Sequence, residues 1–233
     1  MNIYWFGRHT DKDLGYISDL LEDSGFYGWL LPYAVGVPDP FTRIARSLKT
    51  DQKLKYLVAV RPYTMSAQYL LAIIDSLNLI QEDRVRINFV PGFTDGEESF
   101  GGIFSDINDS TSFDDRKIFF CSYIEQFKNW NVKKPYTYIS GIPDSNCPNM
   151  DNFGDANIVS YGRILEGKLD PSDKTKIIFF YVKDIQSFKE ILKDVEERGY
   201  NNIMIHVLGD DLFDLALKVF EEVKNIKLKE NSL

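Results

Sequence analysis

Short apolar runs alternate with longer amphipathic segments along the whole chain. The apolar runs are rich in Val, Ile, Tyr and Phe and are bounded by Gly, Pro, Asn or Asp. This pattern is typical of strands that are buried on both faces of a parallel sheet. It predicts eight strands, at about residues 2–6, 27–31, 54–61, 84–90, 135–140, 156–160, 175–182 and 202–207.

The segments between the strands show helical spacing. From Leu14 to Leu21, apolar residues recur on one face of a helix, and Ser66 precedes a similar stripe as a candidate N-cap. Alternating strands and helices predict a parallel sheet with helices on its faces. Eight strands favour one (β/α)8 TIM barrel over an open doubly wound sheet. The predicted helices cover residues 11–23, 66–79, 114–130, 185–198 and 211–224.

The chain reads as one domain over residues 1–226, followed by a polar tail at 227–233. Two stretches rich in Gly, Asp and Ser, 91–113 and 141–155, follow predicted strands and are too long for bare connections. In a parallel barrel such segments lie at the carboxyl ends of the strands, where ligands bind.

Composition narrows the possible partners. A net charge of −8 argues against a nucleic-acid binder, which needs a basic face. The first residues lack the features of a signal peptide, and no apolar run approaches the ~20 residues that span a bilayer. Two cysteines, Cys121 and Cys147, cannot build a secreted disulfide framework. We therefore expect a cytoplasmic protein with neither nucleic-acid nor membrane partners.

Common catalytic and nucleotide-binding motifs are missing from the sequence. It contains no GxGxxG, P-loop, HExxH or GxSxG pattern. With only His9 and His206, a multi-histidine metal site is not expected. Candidate chemistry therefore rests on single polar residues at the ends of predicted strands.

Four positions stand out, and each has a structural alternative. His9 follows the first strand and is either an exposed loop residue or a proton donor at the barrel mouth. Arg61 ends an apolar strand and predicts either a salt bridge or contact with an anionic ligand. Asn88, inside a buried strand, predicts a polar network or a hydrogen bond to a ring cofactor. Arg116 and Lys117 open a helix as a solvated pair or as a phosphate clamp.

Several segments carry a family resemblance. The run YLVAVRPYTMSAQYLLAIIDSLNLIQEDRVRINFVPG resembles the third and fourth βα units of bacterial luciferase-like flavin monooxygenases, nearest the alkanesulfonate monooxygenase branch. YWFGRHTD is similar to the first strand of that branch, where His9 matches a histidine. GDANIVSYGR and RGYNNIMIHVLGDDLFDLALKVFEEV resemble later units. The likeness is strongest over residues 54–92.

The resemblance implies a TIM barrel that binds reduced flavin mononucleotide (FMN) at the carboxyl ends of its strands and reacts with O2. A separate flavin reductase supplies the reduced cofactor. It also implies a homodimer packed through the predicted helices of residues 39–49 and 66–80. Carried over to this sequence, the proton-transfer and oxygen site would involve His9 and Asn88. Apart from the resemblance, we expect the apolar face of the seventh strand, with Phe179 and Tyr181, to form the substrate pocket. The flavin-binding residues would be Arg61, Asn88, Lys117, Ser140, Gly141, Tyr161 and Gly162.

The sequence also departs from that branch. It lacks the long insertion after the seventh strand, and Val37 stands where the branch has a cysteine. The arginine and histidine of the branch fall at Ile177 and Phe179. We therefore expect a shortened flavin-dependent monooxygenase that acts on a small organic substrate other than an alkanesulfonate. The alternatives are a non-catalytic flavin-binding barrel, a partner subunit of an active luciferase-like chain, and a deazaflavin-dependent oxidoreductase.

We expect Lys117→Ala to weaken FMN binding roughly tenfold to a hundredfold and to leave riboflavin binding nearly unchanged. The start of a helix already favours an anion, and a charge-assisted hydrogen bond adds about 1.5–3 kcal/mol. Fluorescence titration with both ligands measures the difference. If the variant binds both as the parent does, the phosphate rests elsewhere, near Ser140 and Gly141, and Arg163 is the next cation to test.

Overall fold

Strand and helix follow each other throughout the computed structural model, which describes residues 1–7, 14–32, 39–49, 52–90, 113–131, 138–140, 156–167, 176–208 and 212–230. The strands are β1 Asn2–Phe6, β2 Gly28–Leu31, β3 Lys55–Val60, β4 Val85–Phe89, β5 Tyr138–Ser140, β6 Ala156–Ser160, β7 Lys176–Val182 and β8 Asn202–Val207. The α-helices are α1 Leu14–Asp23, α2 Pro40–Ser47, α3 Ala67–Ile80, α4 Phe113–Asn131, α5 Tyr161–Leu165, α6 Ile185–Glu197 and α7 Leu212–Glu230. A 3-10 turn, Pro62–Thr64, follows β3.

All described strand pairs are parallel, and each strand pairs with the next along the chain. β8 pairs back with β1, where Phe6 lies opposite His206, so the sheet closes on itself. The predicted parallel α/β architecture is confirmed, and the fold is TIM-barrel-like. β5 has only three residues and pairs with β6 at two positions. The connection at 141–155 lies outside the described residues, so the βα unit that begins with β5 is described only in part.

Local signals explain where several helices begin. The Ser66 side chain accepts a hydrogen bond from the backbone N–H of Tyr69 at 3.2 Å, as its predicted N-cap role requires. Asp184 caps α6 in the same way through the N–H of Ser187, at 2.8 Å. Only residues 183–184 separate β7 from α6, so this connection has no room for a long insertion.

Two helical segments differ from the sequence-based expectation. The short helix α5 follows β6 directly and was not predicted, because five residues are too few to show a helical period. α7 continues to Glu230, so residues 227–230 of the expected tail are helical. Lys227 holds this last turn against the barrel by donating to the backbone oxygen of Met1. No helix within the described ranges is long and apolar enough to cross a membrane.

Cys121 lies half-buried on α4 and is disulfide-bonded. Disulfides persist mainly in oxidising compartments. The cytoplasmic location expected from the sequence therefore stays a prediction.

Successive residues of each strand face opposite sides of the sheet. One set, which includes Ile3, Trp5, Trp29 and Val58, packs outward with the helices in the large core. The other set points into the barrel and forms a second cluster. Its buried members are Tyr4, Leu30, Leu57, Ile158, Ile177 and Met204.

Charged residues close the amino end of the barrel beside β3 and β4. Asp83 has a φ of +55°, in the left-handed region, and its carboxylate lies 2.5 Å from Arg86 Nη1 and 2.9 Å from Lys55 Nζ. The hydrogen bond from Arg86, helped by Lys55, lowers the pKa of Asp83 to about 2. Asp83 therefore stays ionised while it ties the starts of two neighbouring strands together.

Gly28 provides space inside the barrel for a neighbouring ring. A Cβ at this position would lie 2.8 Å from Cδ1 of Tyr4 and 3.1 Å from Cδ1 of Leu57. Both neighbours are buried, so neither has free space into which to move. The absent side chain at Gly28 thus lets Tyr4 fill the interior at this level.

We expect Gly28→Ala to lower the free energy of unfolding by about 1–3 kcal/mol, the usual cost of overpacking a filled core. Gly15→Ala is the matched control, because a Cβ on Gly15 of α1 would meet nothing within 4 Å. For Gly15→Ala we expect the free energy of unfolding to rise by about 0.5–1 kcal/mol, because alanine has the higher helix propensity. Chemical denaturation measures both, and equal effects would contradict the packing assignment.

Candidate ligand-binding site

The barrel interior opens into a cavity of about 220 Å³ toward the carboxyl ends of the strands. Below it, Tyr4, Leu57 and Ile177 fill the interior. Above Leu57 on the same face of β3 stands the small side chain of Ala59, which leaves the space open. Most of the lining is apolar, with Phe6, Leu30, Ile158, Phe179, Tyr181 and Met204 as its larger members. Two polar side chains, Arg61 and Asn88, join them.

Asn88 is the most informative residue of the cavity. It lies on β4 in register with Ala59 of β3 and Ile139 of β5, and only 3% of its surface is exposed. Its Oδ1 is fully enclosed and has no hydrogen-bond partner among the described residues. Leaving such an atom unpaired costs about 1–3 kcal/mol. A ligand that donates a hydrogen bond at this point would remove that cost.

Arg61 is fixed at the rim by the way β3 ends. Its backbone oxygen accepts hydrogen bonds from the N–H of Thr64 at 3.0 Å and from Thr64 Oγ1 at 2.7 Å. These bonds close the 3-10 turn that begins at Pro62. The side chain is 2% exposed and lines the same cavity as Asn88. The cavity therefore carries a guanidinium donor and an amide within one small apolar space.

Aromatic rings form the opposite wall. Phe179 and Tyr181 lie two residues apart on the same face of β7, with ring centroids 4.8 Å apart. The ring of Phe6 on β1 lies 5.8 Å from that of Phe179. Tyr181 is half exposed at the rim. Both residues expected to form an apolar pocket thus line the cavity, on the side that β7 contributes.

His206 borders the cavity through its contacts with two lining residues, and it was not predicted as a site residue from the sequence. Its Nδ1 lies 2.9 Å from the backbone oxygen of Phe6, and its ring contacts both Phe6 and Tyr181. A carbonyl oxygen can only accept, so Nδ1 carries the hydrogen and the neutral ring has its acceptor at Nε2. Strand alternation from the inward-facing Met204 would have placed His206 on the inner face of β8.

Other predicted site residues lie apart from this cavity or outside the description. The Tyr161 hydroxyl donates to Asp194 Oδ2 at 2.8 Å, and its ring contacts Phe180 on the outer face of β7. Burial and the bond to Asp194 raise the pKa of Tyr161. Gly162 is exposed in α5. For Lys117 and Ser140 only the backbone, in α4 and at the end of β5, is described; His9 and Gly141 lie outside the described residues.

The described geometry suits a flat, largely apolar ligand with one polar edge. Aromatic rings can pack against its faces, the Asn88 amide oxygen can accept from an N–H on the edge, and Arg61 can donate to an oxygen. The described residues contain no cluster of three or more His, Cys, Asp or Glu that could hold a metal ion. The site therefore belongs to the class of apolar cavities with a few convergent polar groups at the carboxyl ends of parallel strands.

Comparison with known proteins supports the fold. No protein-family model matches the sequence. EDTA monooxygenase (EmoA) from Chelativorans sp. BNC1 matches with a TM-score of 0.53 and 13% identity over 85% of this chain and 66% of that chain. Riboflavin lyase (RcaE), solved with modified FMN and substrate riboflavin, matches with a TM-score of 0.53 and 12% identity over 83% of this chain and 66% of that chain. QR15, an aldolase, matches with a TM-score of 0.53 and 9% identity over 98% of this chain and 96% of that chain.

These structures share the fold of this chain at identities too low to carry function across. The match spans slightly less than two thirds of the EmoA and RcaE chains, which are correspondingly longer. The aldolase fits equally well by TM-score and covers more of both chains. The choice of ligand therefore rests on the cavity itself.

We expect Asn88→Leu to leave the free energy of unfolding of the ligand-free protein unchanged or to raise it. The substitution replaces an unpaired buried amide with an apolar side chain of similar size. Gln52→Met is the matched control, because the buried Gln52 amide accepts from Ser18 Oγ at 3.1 Å and donates to Asp19 at 2.8 Å.

For Gln52→Met we expect the free energy of unfolding to fall by about 1–3 kcal/mol, because Ser18 and Asp19 lose a hydrogen-bond partner. Thermal and chemical denaturation of both variants supply the measurement. A loss at Asn88→Leu as large as that at Gln52→Met would show that the Asn88 amide has a structural role.

Proposed function

We propose that this chain is a flavin-binding (β/α)8 barrel, an oxidoreductase of the luciferase-like class, that holds FMN in the cavity at the carboxyl ends of its strands. The observation that carries the proposal is the enclosed, unpartnered Oδ1 of Asn88. Asn88 and Arg61 also belong to the segment, residues 54–92, whose sequence resembles that class most strongly. The same residues thus support the proposal by sequence and by position.

The cavity fits the ring system of a flavin by its donor set. The pyrimidine edge of the ring presents an N–H between two carbonyl oxygens, and the rest of the ring is flat and mostly apolar. Asn88 Oδ1 accepts from such an N–H, and the guanidinium of Arg61 donates to a carbonyl. Because the cavity is about 220 Å³, below the roughly 300–1,000 Å³ of sites that enclose a whole ligand, it takes part of the molecule. The phosphate then extends beyond the rim, toward Lys117, Ser140 and Gly141 in this proposal.

When bound, reduced flavin supplies the electrons that activate O2. The residues of this chain bind, orient and shield the reacting centre. Phe179 and Phe6 exclude water from the ring, which strengthens each polar contact within the cavity. Asn88 and Arg61 fix the orientation of the ring in its plane. Proton transfer is assigned to His9 in this proposal, and a separate reductase delivers the cofactor to a homodimer.

The substrate in this proposal is a small organic molecule that contacts the half-exposed Tyr181 at the rim. No charged group other than Arg61 lines the described cavity, so a neutral, largely apolar substrate matches it best. The described lining also contains no lysine, the residue on which a Schiff-base aldolase depends. For this reason the fold likeness to QR15 does not lead us to propose aldolase chemistry.

We expect Asn88→Leu to weaken FMN binding at least tenfold, the equivalent of about 1.4 kcal/mol, and to weaken riboflavin binding equally. Both ligands share the ring and differ in the phosphate. Asn78→Leu is the matched control, because Asn78 on α3 also has an enclosed, unpartnered Oδ1 and does not line the cavity. Quenching of flavin fluorescence measures each dissociation constant.

Unchanged binding in Asn88→Leu, or equal loss in Asn78→Leu, would contradict the assignment. A second titration with a 5-deazaflavin analogue separates the deazaflavin alternative. Oxidation of added reduced FMN by O2, followed with and without candidate substrates, separates a catalytic barrel from one that only binds flavin.

A further inference from the structure

A second cavity lies at the opposite end of the barrel, at the amino ends of β1 to β4. It measures about 560 Å³, and most of the residues that line it have polar or charged side chains. Four cationic side chains converge on it, from Lys53, Lys55, Arg84 and Lys227. We propose that this cavity is a binding site for a small phosphate-bearing anion, separate from the flavin site.

Arg84 is a fixed part of the lining. It is 3% exposed, and its Nε donates to the backbone oxygen of Leu54 at 2.7 Å. Its Nη1 donates to the backbone oxygen of Gln52, and the guanidinium lies 5.9 Å from the centroid of the Tyr56 ring. These contacts hold the group in one orientation, and carbonyl bonds of this kind do not remove its positive charge. Because Nε and Nη1 already donate to backbone carbonyls, Arg84 contributes its positive charge to the cavity rather than a bidentate hydrogen bond.

The lysines approach from two sides. Gly25 has a φ of +79°, and a Cβ there would lie 2.8 Å from Cγ of Lys227, so the lysine stem packs directly on this turn. Lys55 is held 2.9 Å from Asp83 at the start of β3. Lys53 is exposed, and its ammonium has no partner among the described residues. Lys53 is therefore the cation best able to move onto an incoming anion.

Among the residues that the structure describes, the carboxylates next to the cavity are already engaged and do not line it. Glu22 accepts from the backbone N–H groups of Lys53 and Leu54, at 2.8 and 2.6 Å. Asp83 pairs with Lys55 and Arg86, and Glu230 pairs with Lys227. The other polar residues of the described lining are Tyr27 and three amides, Asn2, Gln52 and Gln81. In a chain with a net charge of −8, this lining is a local region that attracts anions.

Inorganic pyrophosphate is the probe for this site. Isothermal titration at constant ionic strength should show binding to the intact protein, and Lys53→Ala should weaken it about tenfold, as expected for one lost charge contact. Lys224→Ala removes an exposed lysine of α7 that does not line the cavity, and it should bind as the parent does. Gly25→Ala should also weaken binding, because the new Cβ displaces the stem of Lys227.

Asn88→Leu should leave pyrophosphate binding unchanged, which separates this site from any phosphate contact of the flavin. The proposal is overturned if pyrophosphate at millimolar concentration does not bind. It is equally overturned if Lys53→Ala and Lys224→Ala bind alike, or if sodium chloride at matched ionic strength reproduces the heat. In those cases the cations only close the amino end of the barrel.

Discussion

Closure of the sheet between β1 and β8 is the constraint on which the rest of the structure depends. Pairing of residues 2–6 with 202–206 turns a curled parallel sheet into a ring with an inside and an outside. Each strand then contributes alternate side chains to the interior and to the layer beneath the helices. The interior is narrow, so one small or missing side chain decides whether a level of the barrel is filled or open. Gly28 lets the ring of Tyr4 fill one level, and Ala59 leaves the next one open beside Asn88.

The two ends of the barrel consequently differ in chemistry. At the carboxyl end, apolar rings surround one amide and one guanidinium, which favours a flat ligand with few polar groups. At the amino end, several cations and amides surround a larger cavity. The amino end of such barrels usually contributes to stability alone. Here Asp83 and Glu22 provide that stability through strand and loop contacts, while Lys53 is left available to a ligand.

The sequence predicted the strands well because burial on both faces gives each one a continuous apolar run. All eight observed strands begin and end within about three residues of their predicted limits. The short helix α5 was missed, since one turn has no detectable period. Arg61 and Asn88 could be predicted because a polar side chain in an apolar run requires a partner, and both line the cavity.

Other site residues were beyond sequence reasoning for physical reasons. Tyr161 directly follows β6, at the carboxyl end of the barrel where ligands are expected, but its side chain points outward to Asp194. Only the direction of the side chain reveals this. Strand alternation gives His206 and Met204 the same face of β8, but the sequence does not show that this face is the inner one; the register of β8 against β1 then brings His206 to the oxygen of Phe6. The cations at the amino end come from three segments that are distant in sequence, at residues 53–55, at Arg84 and at Lys227, so no local sequence pattern predicts the cluster.

Hydrogen–deuterium exchange with and without FMN tests the central claim most directly, because it locates the ligand on the intact chain. The account predicts slower exchange in peptides that contain the carboxyl ends of β3, β4 and β7, around residues 59–64, 88–90 and 179–182. Peptides over residues 25–27 and 52–55, at the opposite end of the barrel, should exchange as before. Saturating FMN without protection at the first set, or with protection only at the second, would contradict the placement of the flavin beside Asn88.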